Sequence, residues 1–174
     1  MNAAGPLILT AAFSPGFQSR LEGWRRAHYP AALNLVPAHL SLFRQLPPSA
    51  GAEVKARLAR LAAGTPPCAA VPGGFALREA GVVLEVRSPA LAMLREELAE
   101  ALHGLLAWPD MAPLRFSVTI QNKVTASVAR ASLAALVAER LPAEARIERL
   151  LLWRYLGGPW DLLAEQPLRG RWRG

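Results

Sequence analysis

Pro37-Ala38-His39-Leu40-Ser41-Leu42-Phe43 and Arg115-Phe116-Ser117-Val118-Thr119-Ile120-Gln121 are near copies of one another. Each alternates polar and apolar residues with period two, which sorts the side chains of a β-strand onto two faces. His39 and Ser117 occupy the same place in the two copies, and each is followed two residues later by a hydroxyl, Ser41 or Thr119. They lie 78 residues apart (39 to 117), close to half of the 174-residue chain, and that spacing predicts two similar lobes. Unbroken alternation puts His39, Ser41, Phe43 and Gln45 on one face of the first strand. It puts Ser117, Thr119, Gln121 and Lys123 on one face of the second. The opposite faces, Leu40/Leu42 and Val118/Ile120, are then left to pack on helices. Strands related by pseudo-symmetry would present their polar faces to one another across a cleft. An imidazole, hydroxyls, an amide, an ammonium and an aromatic ring together suit a phosphate carrying a base or sugar.

Strand and helix signals alternate through the rest of the chain. Leu7–Phe13 reads as a buried strand, and Ser14-Pro15 opens a helix whose stripe is Phe17, Leu21, Trp24 and His28. A helix follows over about 52–63. The breaker-rich stretch Gly64–Gly74 reads as the loop between lobes. Phe75–Arg87 reads as a hairpin turning near Ala80-Gly81. Ser88-Pro89 opens the longest helix, and further elements are a helix over about 127–141 and a strand over 147–156. The Arg-rich end, Leu168–Gly174, reads as a flexible basic tail. The pattern is α+β, with helices packed on mainly antiparallel sheets, and the whole of 1–174 forms one domain of two lobes.

Composition narrows the partners. The formal charge is +7 and 18 of the 20 cations are arginine, which favours phosphate-bearing ligands or reflects an ordinary solvated surface. A single cysteine, Cys68, excludes an intrachain disulfide and fits a reducing cytoplasm. Three dispersed histidines and one cysteine argue against a zinc site, and no apolar run reaches membrane-spanning length. No Gly-rich phosphate loop, nucleophile elbow or dinucleotide fingerprint is present.

His39 is the candidate acid/base, because an imidazole exchanges protons near neutral pH; a structural histidine at a strand edge is the competing reading. Ser41 and Thr119 are candidate phosphate ligands or ordinary strand formers. Arg115 and Lys123 are candidate phosphate-neutralising cations or solvated strand ends. Trp153 and Tyr155 alternate on the last strand, where they wall a base-binding cleft or pack the core.

The chain resembles the 2H phosphoesterase superfamily, in its bacterial 2′-5′ RNA ligase-like branch. The resemblance runs through Pro6-Leu7-Ile8-Leu9-Thr10, Arg25-Arg26-Ala27-His28-Tyr29-Pro30, Pro37–Phe43, Val118–Val124 and Leu152–Trp160. It implies a bilobal fold in which two pseudo-symmetric antiparallel sheets face a central cleft, with helices outside. It also implies cofactor-free, metal-independent chemistry on RNA ends or small nucleotides bearing a 2′,3′-cyclic phosphate or 2′-5′ linkage. In that family one histidine activates water or a hydroxyl, a second protonates the leaving oxygen, and hydroxyl residues hold the phosphate. His39 carries over as one acid/base, and Ser41 and Thr119 as phosphate ligands. Ser117 fills the place of the second histidine, so that role does not carry over, although a serine keeps a donor for phosphate. Phe43, Arg115, Gln121, Lys123, Trp153 and Tyr155 are the further substrate contacts expected. Three outcomes follow: an impaired 2′-5′ RNA ligase or cyclic phosphodiesterase, a nucleotide or RNA-end binding module without turnover, or a hydrolase recruiting another group such as His28.

Overall fold

Leu7–Phe13 is buried at every position and forms β1, the strand on which the first lobe is built. In the computed structural model, which describes residues 4–172, β1 leads into helix α1 (Pro15–His28), opened by Pro15 at its first turn. Then come β2 (Leu40–Leu46), α2 (Gly51–Gly64), β3 (Cys68–Arg78), β4 (Gly81–Arg87), α3 (Pro89–Ala101), the single turn α4 (Trp108–Met111), β5 (Phe116–Gln121), α5 (Ala126–Leu136), β6 (Ala145–Tyr155) and β7 (Trp160–Pro167).

All strand pairs are antiparallel, in the order β2-β1-β6-β3-β4-β5, with β7 also on β6. β3 and β7 share one edge of β6: β3 covers Ala145–Ile147 and β7 covers Arg149–Tyr155. The sheet therefore falls into two halves, β2-β1-β6-β7 and β3-β4-β5, joined only by the three-residue contact of Cys68–Ala70 with β6. The units β1-α1-β2 and β4-α3-β5 repeat one another, as the 78-residue spacing predicts.

The lobe crossing differs from the sequence reading. Pro72, Gly73 and Gly74 lie within β3, and only Thr65–Pro67 is loop. A register shift between Pro72 and Gly74 absorbs them, which is how an edge-forming strand tolerates proline and glycine. The tail differs as well. Leu168 is buried, Arg169 N–H donates to Ala62 O at 3.0 Å, and Gly170 N–H donates to Thr65 O at 2.9 Å. The chain is thus docked on the end of α2 as far as Gly170, while Arg173 and Gly174 lie outside the described residues.

Two bulges decide which side chains reach the cleft. Ser41 pairs with Thr10 and Phe43 with Leu9, so β2 carries one extra residue at Leu42. Thr119 pairs with Val83 and Gln121 with Val82, so β5 carries one extra residue at Ile120. The bulges are 78 residues apart, like His39 and Ser117, and each turns the strand by one residue.

Arginines bind the strands reciprocally. Arg95 of α3 donates from Nε to Leu42 O at 3.1 Å, and its guanidinium lies over the Phe43 ring. Arg25 of α1, itself buried, donates to Thr119 O at 2.6 Å, Val36 O at 3.0 Å and Asn34 Oδ1 at 2.8 Å. Each helix so clasps the edge strand of the other repeat and satisfies carbonyls that the ladder leaves open.

The core runs continuously beneath both halves, from Leu7, Leu9 and Phe13 through Leu40 and Phe43 to Leu84, Val118 and Ile120. Each such side chain contributes roughly 1.5–3 kcal/mol on burial. No helix among the described residues is long and apolar enough to cross a membrane.

Candidate functional site

α1 fixes the approach to β2. Glu22 Oε1 accepts from Ala38 N–H at 2.7 Å, and Gln18 Nε2 donates to Ala38 O at 2.8 Å. His39 follows directly, half-buried at the mouth of β2, with its ring 4.9 Å from that of Trp160. Its Nδ1 is 2.7 Å from Pro37 O. A carbonyl only accepts, so Nδ1 carries the proton and Nε2 keeps the lone pair. Burial pulls the imidazole pKa down from 6.5 to about 4; the Pro37 bond opposes this, and the charges of Arg25 and Arg44 add to it. At neutral pH His39 is therefore a neutral ring in the tautomer of a general base.

The cleft around it encloses about 340 Å³ between the two halves. His39, Ser41 and Arg44 line one side, Ser117, Thr119, Gln121 and Asn122 the other. Ile8 and Val83 form apolar floor, Trp160 closes the β7 end, and Arg78 and Glu79 come from the β3–β4 turn. Arg78 Nη1 donates to Ser117 Oγ at 3.0 Å, and Nη2 lies 3.7 Å from Glu85 Oε1. Two guanidiniums and one carboxylate thus surround three hydroxyls. This set can bind a phosphate and accept one proton; the guanidiniums cannot give one up.

The structure brings His39, Ser41, Ser117 and Thr119 together as the sequence predicts. Phe43 is a correction: the Leu42 bulge turns it fully into the core and gives its cleft position to Arg44. Gln121, four residues after Ser117 as Phe43 is after His39, is turned by the Ile120 bulge. It reaches the cleft wall, but its Nε2 donates inward to His28 O at 2.9 Å and Ser132 Oγ at 2.7 Å. Lys123 sits at φ 59° past the end of β5 and does not line the cleft. Arg115 lies beyond Ser117, on a separate cavity of about 570 Å³. Trp153 is buried, donating Nε1–H to Thr10 Oγ1 at 2.9 Å, and stands behind Trp160 at 6.0 Å. Tyr155 is exposed at the strand end and is not a cleft wall. His28 does not line the cleft either, which leaves no recruited second histidine.

Arg44, Arg78, Glu79, Asn122 and Trp160 are the cleft residues that sequence reasoning missed. Arg78 had a usable signal, since a hairpin turning at 80–81 returns it next to the strand of Glu85. Trp160 had none, because Gly157-Gly158-Pro159 hides the start of β7. Among the described residues no three His, Cys, Asp or Glu side chains cluster as a metal site would require.

The fold and cleft define a bilobal protein with paired hydroxyl-bearing strands around a single histidine. The chain belongs to the 2′-5′ RNA ligase superfamily, whose family model matches residues 13–159. In fold it is similar to the Thermus thermophilus protein TT0787, with 20% identity, 95% of this chain and 98% of that one covered, and a TM-score of 0.65. It is similar also to Escherichia coli LigT, solved in complex with 3′-AMP, with 16% identity, coverage of 95% and 98%, and a TM-score of 0.59. Usb1 of Kluyveromyces marxianus, solved with uridine monophosphate, aligns at 14% identity over 95% and 99% of the chains with a TM-score of 0.51. No curated protein matches the sequence.

Proposed function

We propose that the cleft binds 2′,3′-cyclic phosphate or 2′-5′-linked RNA ends or nucleotides, and that it turns them over with impaired catalysis as a 2′-5′ RNA ligase/cyclic phosphodiesterase-like protein. Arg78 held on Ser117 Oγ, opposite the neutral His39, is the observation that carries this reading. Nucleotide-bound relatives of the same fold support the ligand class.

In this scheme His39 Nε2 takes a proton from water or a ribose hydroxyl as the new P–O bond forms. Ser41, Thr119 and Ser117 donate to phosphate oxygens, and Arg78 neutralises their charge. The leaving oxygen then lacks a proton donor, because serine does not shuttle protons near neutral pH and arginine does not deprotonate. A positioned acid is worth about 10²–10⁴-fold, or roughly 3–5 kcal/mol of barrier. Binding is spared that loss. The chemistry needs no metal or cofactor, and the lone buried thiol of Cys68 fits a reducing cytoplasm.

A second reading, a module that binds without turnover, is favoured by the same contact, since Arg78 already occupies the hydroxyl of Ser117. Calorimetric titration with 2′,3′-cyclic AMP, followed by product analysis, tests both. Saturable binding that weakens at least about tenfold in a Ser41→Ala/Thr119→Ala double variant, with slow His39-dependent hydrolysis, is expected. Absence of saturable binding removes both readings, and tight binding with no product over a long incubation selects the second.

A further inference from the structure

A second cavity, of about 570 Å³, does not surround His39. It begins at Arg78, which lines both cavities, and continues along the same side of β4 and β5. Glu85 pairs with Ser117, and Val86 with Phe116. One position further, on the side of Glu85 and Ser117, stand Arg87 and Arg115, both exposed and both lining this cavity. Each lies two residues along the chain from Glu85 or Ser117, Arg87 at the end of β4 and Arg115 just before β5, about 6.6 Å away if the chain is extended, comparable to one step of an extended nucleotide backbone.

Two like charges on one cavity at the end of the β4–β5 ladder repel one another unless an anion lies between them. The ion pairs among the described residues, Arg57–Glu53, Arg78–Glu85 and Arg149–Glu165, include neither Arg87 nor Arg115. The rest of the lining holds the Glu85 carboxylate, which lies 3.7 Å from Arg78 Nη2, and Ser88, beside apolar groups that include Val71, Pro89 and Ala92 of α3 and Leu114. The place therefore offers a phosphate two forked donors and offers a base or sugar apolar contacts.

We propose that this cavity is a second nucleotide subsite, so that the ligand is a single-stranded RNA end of at least two nucleotides. The terminal phosphate lies in the His39 cleft, the next phosphate on Arg87 and Arg115, and Arg78 lies between them. This rests on the phosphoester reading of the cleft and extends it from a phosphate group to an oligonucleotide.

The test compares the affinities of adenosine 3′-monophosphate and the dinucleotide ApA 3′-monophosphate. Three proteins are used: wild type, Arg87→Ala/Arg115→Ala, and Arg60→Ala/Arg130→Ala, which removes the same charge from exposed faces of α2 and α5. In wild type the dinucleotide binds about tenfold tighter, as expected for one added arginine-held phosphate. The Arg87/Arg115 variant loses that ratio and the Arg60/Arg130 variant keeps it. A mononucleotide that binds as tightly as the dinucleotide, or a ratio that survives in the Arg87/Arg115 variant, overturns the subsite alone. Failure of both ligands to bind wild type overturns the cleft reading and the subsite together.

Discussion

Arg78 reaches Ser117 across the β3–β5 face, its Nη1 donating to the serine Oγ at 3.0 Å while Nη2 stays 3.7 Å from Glu85. The guanidinium thus places a fixed positive charge at the position from which the proposed chemistry needs a proton. Fixed charge binds phosphate well and transfers nothing, which is why affinity and turnover separate in this account.

Arg78→Ala is expected to weaken 2′,3′-cyclic AMP binding about tenfold or more, because a charge-assisted bond to the phosphate is lost. Stability should move by no more than about 0.5 kcal/mol, since the side chain is exposed. Calorimetry and urea denaturation on the same preparation check both halves. An unchanged affinity contradicts the phosphate role of Arg78.

The Leu42 bulge makes opposite forecasts for adjacent residues. Phe43→Ala should cost about 3–5 kcal/mol of stability, since Phe43 is fully buried beneath Arg95. Arg44→Ala should leave stability within about 0.5 kcal/mol and reduce cyclic nucleotide affinity, since Arg44 is exposed and lines the cleft. The reverse pattern would mean that β2 runs without its bulge.

That bulge marks where the sequence stops being legible. Period-two alternation places His39, Ser41, Ser117 and Thr119 correctly, and the 78-residue spacing foretells the repeated halves. Alternation assumes one residue against one, however, so it carries Phe43 to the wrong face once Leu42 is inserted, and it misses that Gln121, though on the cleft wall, turns its amide inward after the Ile120 bulge. The groups that hold the irregular stretch of β2, which shifts register at Leu42 and again between Phe43 and Leu46, come from far along the chain. Asp110 accepts from Arg44 N–H and Gln45 N–H, both at 2.9 Å, and Arg95 caps Leu42 O. No local pattern announces them. Trp160 was hidden for a related reason: its strand exists only because β6 offers an edge beyond the reach of β3.

Arg25 is the buried clasp between α1 and β5. Arg25→Met keeps the bulk but strips the donors from Thr119 O, Val36 O and Asn34 Oδ1. The expected loss is about 3 kcal/mol or more, because three partly buried acceptors are left unpaired at once. Chemical denaturation measures it, and a loss below about 1 kcal/mol would show the clasp to be dispensable.

His39 sets the pH response. Its native pKa of about 4 lies below the ordinary 6.5, so between these values the unfolded chain binds more protons than the native one. The contribution of this residue to stability is therefore complete above pH 6.5 and is lost as pH falls towards 4. Ring-proton NMR should find the His39 midpoint near 4, and His39→Gln should flatten the fall of stability over that window. A midpoint near 6.5 would contradict the neutral base.

The most direct measurement is hydrolysis of 2′,3′-cyclic AMP by wild type, Ser117→His and Ser117→His/His39→Ala. Placing an imidazole opposite His39 is expected to raise turnover by about 10²–10⁴-fold, and the double variant should lose the gain. Wild-type turnover as fast as that of Ser117→His would contradict the central claim, because the cleft would then already hold a second proton-transfer group.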